Sequence, residues 1–141
     1  MLRIDRSNQN IFKGFTYQIH TPDGTMFVNV MEDMEGKLCA VDIKIGKAGL
    51  PLRAWAHCFG RLITMVLEHG GGLSEILEEL SSQTADRSIT SINGTKVRSG
   101  PEGVYNALNM YKEQKYQEAK HEFHVSGSGR EIGRLNNRKK A

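Results

Sequence analysis

The sequence is poor in several features that would assign a class of protein at once. It has only two cysteines, Cys39 and Cys58, which lie far apart and indicate no disulfide framework. Reduced thiols of this kind are typical of cytosolic proteins. No apolar run approaches the roughly 18 residues of a membrane span, and the start Met-Leu-Arg-Ile-Asp-Arg lacks the apolar region of a signal peptide. We therefore expect a cytoplasmic protein that does not associate with membranes.

A net positive charge is found only at the C-terminal end of the chain. After position 125 the chain carries five basic residues against the single Glu131, a net charge of +4. Because the whole chain has a net charge of +3, residues 1–125 sum to −1. Such a body lacks the basic surface that nucleic-acid binding needs, so we expect no nucleic-acid partner for it. The tail is either a phosphate contact or a solvated end.

Motifs of the common enzyme classes are also missing. The chain contains no Gly-x-Ser-x-Gly, His-Glu-x-x-His or Walker A sequence. A closed zinc site needs about four nitrogen or sulfur ligands. The histidines form no evident ligand set; they stand at positions 20, 57, 69, 121 and 124. We therefore expect a protein that is not an enzyme and that uses neither a metal nor a cofactor.

What the sequence does contain is a strand-like alternation in its first third. Phe12–Ile19, Met26–Met31 and Leu38–Ile45 are predicted strands. The segments 21–24 and 32–36 have the composition of short turns. Three strands joined in this way form an antiparallel meander, which needs a helix to cover its apolar face.

The strongest helical pattern follows the third strand. Apolar residues recur at helical spacing over Leu52–Leu67, and three glycines at 70–72 end that helix. A second, short helix is predicted after Ser74, with Ile76, Leu77 and Leu80 as its apolar face. Ser-Gly-Pro-Glu at 99–102 predicts a further helix start, and this helix becomes very polar over 112–120. The predicted fold class is α+β: an antiparallel β-meander covered by a long amphipathic helix, with further short strands and a second helical segment.

Weaker patterns mark the rest of the chain. A short strand is expected around Ile89, followed by a hairpin-type turn at Asn93-Gly94. Glu122–Val125 is expected to form a last strand, and Ser-Gly-Ser-Gly-Arg at 126–130 a flexible turn. The expected organisation is a polar segment 1–12, a single domain 13–125 and a basic segment 126–141.

The run Gly-Lys-Ala-Gly at 46–49 is the first candidate site. It lies between the third strand and Pro51, which opens the long helix. Glycines let the backbone turn sharply and approach a ligand, and a helix N-terminus offers N–H groups and a favourable dipole to an anion. Lys47 and Arg53 add positive charge, so both are predicted ligand-binding residues. The alternative is that the glycines only make a tight turn from strand to helix.

A second candidate site combines Asn93, Lys96, Arg98 and Ser99 between a turn and a helix start. These side chains suit ribose hydroxyls and a pyrophosphate, and the guanidinium of Arg98 suits bidentate phosphate binding. The alternative is turn chemistry combined with helix capping.

The C-terminal arginines Arg130 and Arg134 are predicted to fold over a ligand as a lid. The alternative is a mobile tail.

Aromatic residues offer stacking surfaces for a base. Trp55 and Phe59 have this chemistry, but their helical periodicity favours core packing. Tyr105 and Phe123 are less constrained and remain candidate stacking platforms.

Over roughly Lys13–Met110, the order and spacing of these motifs resemble the TSCPD domain, best known at the C-terminal end of vitamin B12-dependent ribonucleotide reductases. In that family a turn leads into a strand pair, a Gly-Lys-x-Gly segment leads into a long helix, and Ser-Cys-Pro-Asp opens a later helix. The corresponding segments here are Thr21-Pro22-Asp23-Gly24, Gly46-Lys47-Ala48-Gly49, Gly60-Arg61-Leu62-Ile63 and Ser99-Gly100-Pro101-Glu102.

The departures from this pattern concern cysteine. The family's cysteines imply a metal site, but Asp23, Leu50 and Gly100 stand where this chain would need thiolates. The resemblance therefore implies that the fold is kept and the metal lost.

In size and general character, the chain is also similar to small phage proteins called Thoeris anti-defence proteins. These proteins are not enzymes; they sequester cyclic ADP-ribose signals, and some also hold cyclic oligonucleotides. This likeness implies a stand-alone phage protein that acts in the cytoplasm of an infected bacterium.

Three functions remain in competition. The first, which we favour, is non-catalytic sequestration of a cyclic nucleotide immune signal by a homo-oligomer, because the long apolar helix has surface left to hide. The second is an accessory protein-interaction module of ribonucleotide reductase. The third is nucleic-acid binding through the tail, which the charge of the body disfavours.

Overall fold

An antiparallel three-stranded sheet is the centre of the fold. The computed structural model describes residues 11–47, 49–81, 89–90 and 96–138. The strands β1 (Lys13–Thr21), β2 (Gly24–Glu32) and β3 (Leu38–Ile45) lie side by side in that order. Each is antiparallel to its neighbour, which confirms the predicted meander.

The two faces of this sheet differ as the alternation predicts. Tyr17, Val28 and Ile43 lie opposite one another across the strands, and the apolar face is buried at Ile19, Met26, Val28, Val30, Val41, Ile43 and Ile45. On the other face Thr16, Asn29 and Asp42 form a polar row. The Thr16 hydroxyl donates to Asn29 Oδ1 over 2.8 Å, and Asn29 Nδ2 donates to Asp42 Oδ2 over 3.4 Å.

The long helix α1 (Pro51–Glu68) packs against β3. The Thr64 hydroxyl accepts the N–H of Val41 over 3.0 Å and donates to its carbonyl oxygen over 3.1 Å. A Cβ at Gly60 would lie 2.9 Å from the Val41 oxygen, so only glycine permits this approach. The helix therefore covers backbone groups of β3 that would otherwise be open to another strand.

Two smaller elements follow α1. The chain turns at Gly70, whose φ is +86°, and the predicted second helix is α2 (Leu73–Ser81). The strands β4 (Ile89–Thr90) and β5 (Lys96–Val97) then pair antiparallel, which confirms the short strand around Ile89. The predicted Asn93-Gly94 turn lies outside the described residues.

The last helix, α3 (Gly100–Arg138), is longer than predicted. The expected strand at Glu122–Val125 and the expected flexible turn at 126–130 are both wrong, because both segments are helical. Adding a residue to a formed helix is far easier than starting one, so the low propensity of serine and glycine there is overridden. The chain divides into two compact units, Met1–Asn109 and Met110–Ala141.

Candidate functional site

An open apolar cleft of about 380 Å³ lies at the first turns of α1 and α3. The sheet contributes Met26, Ile43 and Ile45, and Asp23 of the β1–β2 turn stands at its border. The helices contribute Leu52, Trp55, Ala56, Cys58, Phe59 and Leu62 from α1, and Gly100, Pro101 and Val104 from α3. We call this site the Trp55 cleft.

Trp55 itself is 75% exposed, so the expectation that it packs in the core is wrong. The side of α1 that meets the sheet is marked by Gly60, Ile63 and Leu67, all buried. Trp55 belongs to a neighbouring apolar stripe, which leaves its indole beside the cleft. An exposed indole offers a flat apolar face and one N–H donor, which suits stacking against a planar ring.

The start of α1 has fewer donors for an anion than the sequence predicts. Pro51 has no N–H, and the N–H groups of Arg53 and Ala54 donate to the Leu50 carbonyl oxygen over 3.1 and 3.4 Å. The first turn, Pro-Leu-Arg-Ala, contains no acidic residue, so its dipole is not offset by a carboxylate there. What attracts an anion here is therefore charge and dipole rather than a set of open N–H groups.

The basic residues at this helix start are placed by a tight turn. Gly46 and Gly49 adopt φ values of +69° and +85°, which L side chains rarely tolerate, so the turn alone accounts for both glycines. Nη1 of Arg53 donates to the Gly46 carbonyl oxygen over 3.3 Å. Lys47 is exposed in the same turn. Arg53 lines a second, shallow depression with His57, separate from the Trp55 cleft.

The start of α3 is closely capped. The Ser99 hydroxyl accepts the N–H of Glu102 over 3.1 Å, as an N-cap residue does. The Glu102 carboxylate in turn accepts the backbone N–H of Arg98 over 2.7 Å and its guanidinium over 3.0 Å. This geometry matches the capping alternative, and it occupies the guanidinium that was predicted to hold phosphate.

Arg98 and Glu102 shift each other's titration. Hydrogen bonds from the Arg98 side chain are the main cause that holds the pKa of the Glu102 carboxyl below its usual value; burial acts in the opposite direction. The same contact raises the pKa of Arg98. Both groups are therefore charged at neutral pH, and an incoming phosphate would have to compete with Glu102 for the guanidinium.

The remaining predicted residues are placed only in part. Lys96 is exposed on β5, two positions before Arg98, so these two and Ser99 lie together at the start of α3. Asn93 lies outside the described residues. Arg130 and Arg134 lie within α3, and their side chains are outside the described part of the structure.

The two less constrained aromatic residues differ in exposure. Tyr105 is half-buried, whereas Phe123 is 80% exposed on the second unit. The Phe123 ring lies 6.5 Å from the His124 ring in an edge-on arrangement.

The apolar lining of the Trp55 cleft is the part of the site that sequence reasoning missed. Its signal is present: Leu52, Trp55, Phe59, Leu62 and Val66 recur at alternating spacings of three and four, beside the stripe that packs on the sheet. Two adjacent apolar stripes on one helix indicate more apolar surface than a single sheet can cover.

Neither a metal cluster nor a membrane-spanning helix occurs in the described ranges. Within them, no three histidine, cysteine, aspartate or glutamate side chains come together closely enough to hold a metal ion. In the same ranges, no helix combines the length and the apolar character needed to cross a bilayer.

Comparison with known proteins identifies the fold family. The family model described as the TSCPD domain matches residues 4–112, which is more than half of the chain. No curated protein and no solved structure matches the chain. The match covers the sheet, α1, α2 and the first part of α3, including every described residue of the Trp55 cleft. The chain therefore belongs to the TSCPD domain family.

Proposed function

We propose that this protein is a non-catalytic binding protein that sequesters a cyclic nucleotide signal, of the cyclic ADP-ribose type or a cyclic oligonucleotide, as a phage anti-defence protein does. The observation that carries the proposal is the Trp55 cleft, with an exposed indole at its border. Ligand sites are typically clefts of roughly 300–1,000 Å³ with apolar walls and a few polar groups. The cleft, at about 380 Å³, falls within that range.

The apolar lining of the cleft suits the flat face of a base better than a sugar. Stacking of a nucleobase on an aromatic side chain contributes about 1–3 kcal/mol and depends little on which base it is. Trp55 supplies this surface, while Leu52 and Pro101 supply apolar walls. A planar base lying against Trp55 would bury surface that is now exposed to water.

Phosphates of the same ligand would be held at the helix starts. The α1 terminus combines a favourable dipole with the exposed Lys47. At the α3 terminus, the Arg98 side chain is 48% exposed although its partner Glu102 is only 17% exposed, so a ligand can reach the guanidinium from solvent. A phosphate, which accepts two parallel N–H bonds from a guanidinium, is a competitive replacement partner.

Native mass spectrometry with a panel of cyclic ADP-ribose isomers and cyclic di- and trinucleotides tests the proposal. We expect one ligand to be retained with unchanged mass and in fixed ratio to protein. Trp55→Ala should lose it, whereas Met34→Ala, at another exposed apolar side chain on the β2–β3 turn, should retain it. Recovery of an altered ligand would contradict the non-catalytic part, and equal retention by both variants would contradict the site.

A second function is favoured by a different observation. Apolar side chains stay exposed along α1 beyond the cleft, at Met65 and Val66, as they would on a surface that binds protein. Because TSCPD domains are associated with ribonucleotide reductase, the alternative is an accessory module that binds a reductase subunit. It predicts that the whole nucleotide panel fails to bind while a purified reductase subunit is retained, and that Val66→Asp abolishes that retention.

A further inference from the structure

A further apolar depression, of about 470 Å³, lies between α1 and α2. Its floor is formed by Phe59, Leu62, Ile63 and Val66 of α1 with Ile76 and Leu80 of α2. Three carboxylates stand along its border, those of Glu75, Glu78 and Glu79. We call this surface the α1/α2 groove.

The groove has the chemistry of a helix-binding surface. Helix-in-groove recognition needs an apolar trough for residues spaced by three and four along the incoming helix. Leu62 and Val66 supply such a trough, since both stay substantially exposed. The acidic border specifies the charge of the occupant, because complementary charges bring partners together in a defined register. The matching occupant is an amphipathic helix whose apolar stripe is flanked by lysine or arginine.

The second unit of this chain contains a helix of that kind. On α3, Tyr116 is 63% exposed and Phe123 is 80% exposed. They are seven residues apart, with Ala119 between them, so all three share one side of the helix. Lys112 and Lys120 lie four residues before and after Tyr116, which places two positive charges beside this stripe. Glu113 lies on the same side, three residues before Tyr116, whereas Glu118 and Glu122 fall on the opposite side of the helix.

A helix of this composition is not expected to stand alone in water. Local pairs support it, such as Lys115 with Glu118 over 3.2 Å. Each such pair contributes only about 0.2–0.5 kcal/mol. A mostly polar helix that leaves two aromatic rings in water gains most of its stability from packing against something else.

We propose that the α1/α2 groove of one copy receives the 112–126 segment of α3 from a second copy, so that two copies exchange these segments reciprocally. The two contacts would be equivalent, as in a two-fold dimer. The four aromatic rings that enter grooves, two from each copy, would bury roughly 600–1,000 Å². When the groove walls that these rings contact are added, the total buried surface exceeds the roughly 1,000 Å² that a specific interface needs.

This inference does not depend on the nucleotide proposal. Val66 lines the α1/α2 groove and not the Trp55 cleft, so a change there separates the two surfaces. If Val66→Asp weakens self-association yet binds the nucleotide that the wild type binds, the surfaces act independently. A failure of the self-association proposal can therefore be distinguished from a failure of the nucleotide proposal.

Analytical ultracentrifugation of the full chain tests the exchange. We expect a concentration-dependent dimer whose Kd rises roughly tenfold or more in Phe123→Ala and in Val66→Asp, since both remove apolar contacts at the centre. Met34→Asp, on the exposed β2–β3 turn, is the matched control and should leave the Kd unchanged. Circular dichroism confirms that each variant is folded before its association is measured.

Charge exchange between copies gives the sharpest form of the test. One variant carries Glu75→Lys and Glu78→Lys, and the other carries Lys112→Glu and Lys120→Glu. Each variant alone should lose the dimer, because its groove and its helix then carry like charges. Mixed together, the two should form a heterodimer, since each helix meets a groove of opposite charge. A chain that stays monomeric at all concentrations, or a mixture that fails to associate, would overturn the exchange.

Discussion

The two sides of α1 are both apolar, yet they serve different purposes. One side contains Gly60, Ile63 and Thr64 and lies against β3, where a missing side chain and a hydroxyl let the helix approach the strand closely. The other side contains Trp55 and Val66 and remains exposed. Size and polarity at a few positions, not hydrophobicity as such, therefore decide which stripe holds the fold. The other stripe is then available to bind.

The largest expected effect is on the sheet-facing side. Gly60→Val should lower the free energy of unfolding by about 3 kcal/mol, because its Cβ would clash with two backbone atoms of β3, 2.9 and 3.1 Å away. Gly72→Val is the matched control, since a Cβ there meets no atom within 4 Å. Urea denaturation of both variants gives the measurement. Similar losses in the two would show that the close approach is not what fixes this side of α1.

The next effect concerns the hydroxyl on the same side. Thr64→Val keeps the shape of the side chain but leaves the N–H and carbonyl of Val41 without this partner, at a cost of about 1–3 kcal/mol. Thr64→Ser, which keeps the hydroxyl, should lose less. If valine proves as stable as threonine in urea denaturation, the hydroxyl does not help to hold α1 against β3.

A smaller effect is expected at the start of α3, which borders the exposed side of α1. Ser99→Ala should cost about 1 kcal/mol, because the N–H of Glu102 loses its cap. Ser99→Asp retains an acceptor and should stay close to wild type. Thermal unfolding of the pair is the measurement, and equal midpoints would contradict a capping role.

The effect of acid pH on stability, through Glu102, should be smaller again. The folded-state pKa of Glu102 is depressed. The carboxylate therefore contributes fully to the free energy of unfolding at pH values above the ordinary glutamate pKa. That contribution disappears as the pH falls through the lower, folded-state value. Thermal unfolding of wild type and of Glu102→Gln is measured from neutral to acid pH. The difference between their unfolding midpoints should shrink in this window. A difference that is constant with pH would show that the ion pair with Arg98 contributes nothing.

The smallest effect on stability is expected at Trp55, although its effect on binding is large. Trp55→Ala should change the free energy of unfolding by no more than about 0.5 kcal/mol, because the side chain lies mostly in water. Urea denaturation measures this. A loss comparable to that of Gly60→Val would place Trp55 in the fold rather than in the site.

These differences explain what the sequence can and cannot predict. The three strands and α1 follow from periodicities of two and 3.6, which depend on neighbouring residues alone. The exposure of Trp55 does not follow, because two adjacent stripes on α1 have the same periodicity, and the contacts of Gly60 and Thr64 with β3 choose between them. Residues of the cleft come from three distant parts of the chain, and no local pattern brings them together.

Residues at the start of α3 were ambiguous for a different reason. Arg98 and Ser99 have the chemistry of a phosphate site and equally that of a helix cap, and the position of Glu102 favours the cap in this structure. The C-terminal part of α3 was mispredicted because serine and glycine at 126–129 have low helix propensity, and the continuing helix overrides it. Intrinsic helix propensity predicts structure least well where an already formed helix extends into the segment.

The fluorescence of Trp55, the only tryptophan in the chain, tests the nucleotide site most directly. Titration with cyclic ADP-ribose isomers and cyclic di- and trinucleotides should quench its emission to a plateau with at least one of them, because a base stacks on the indole. The quenching should be saturable and absent with free ribose phosphate. An emission that no member of the panel changes would contradict a nucleotide site on the exposed side of α1.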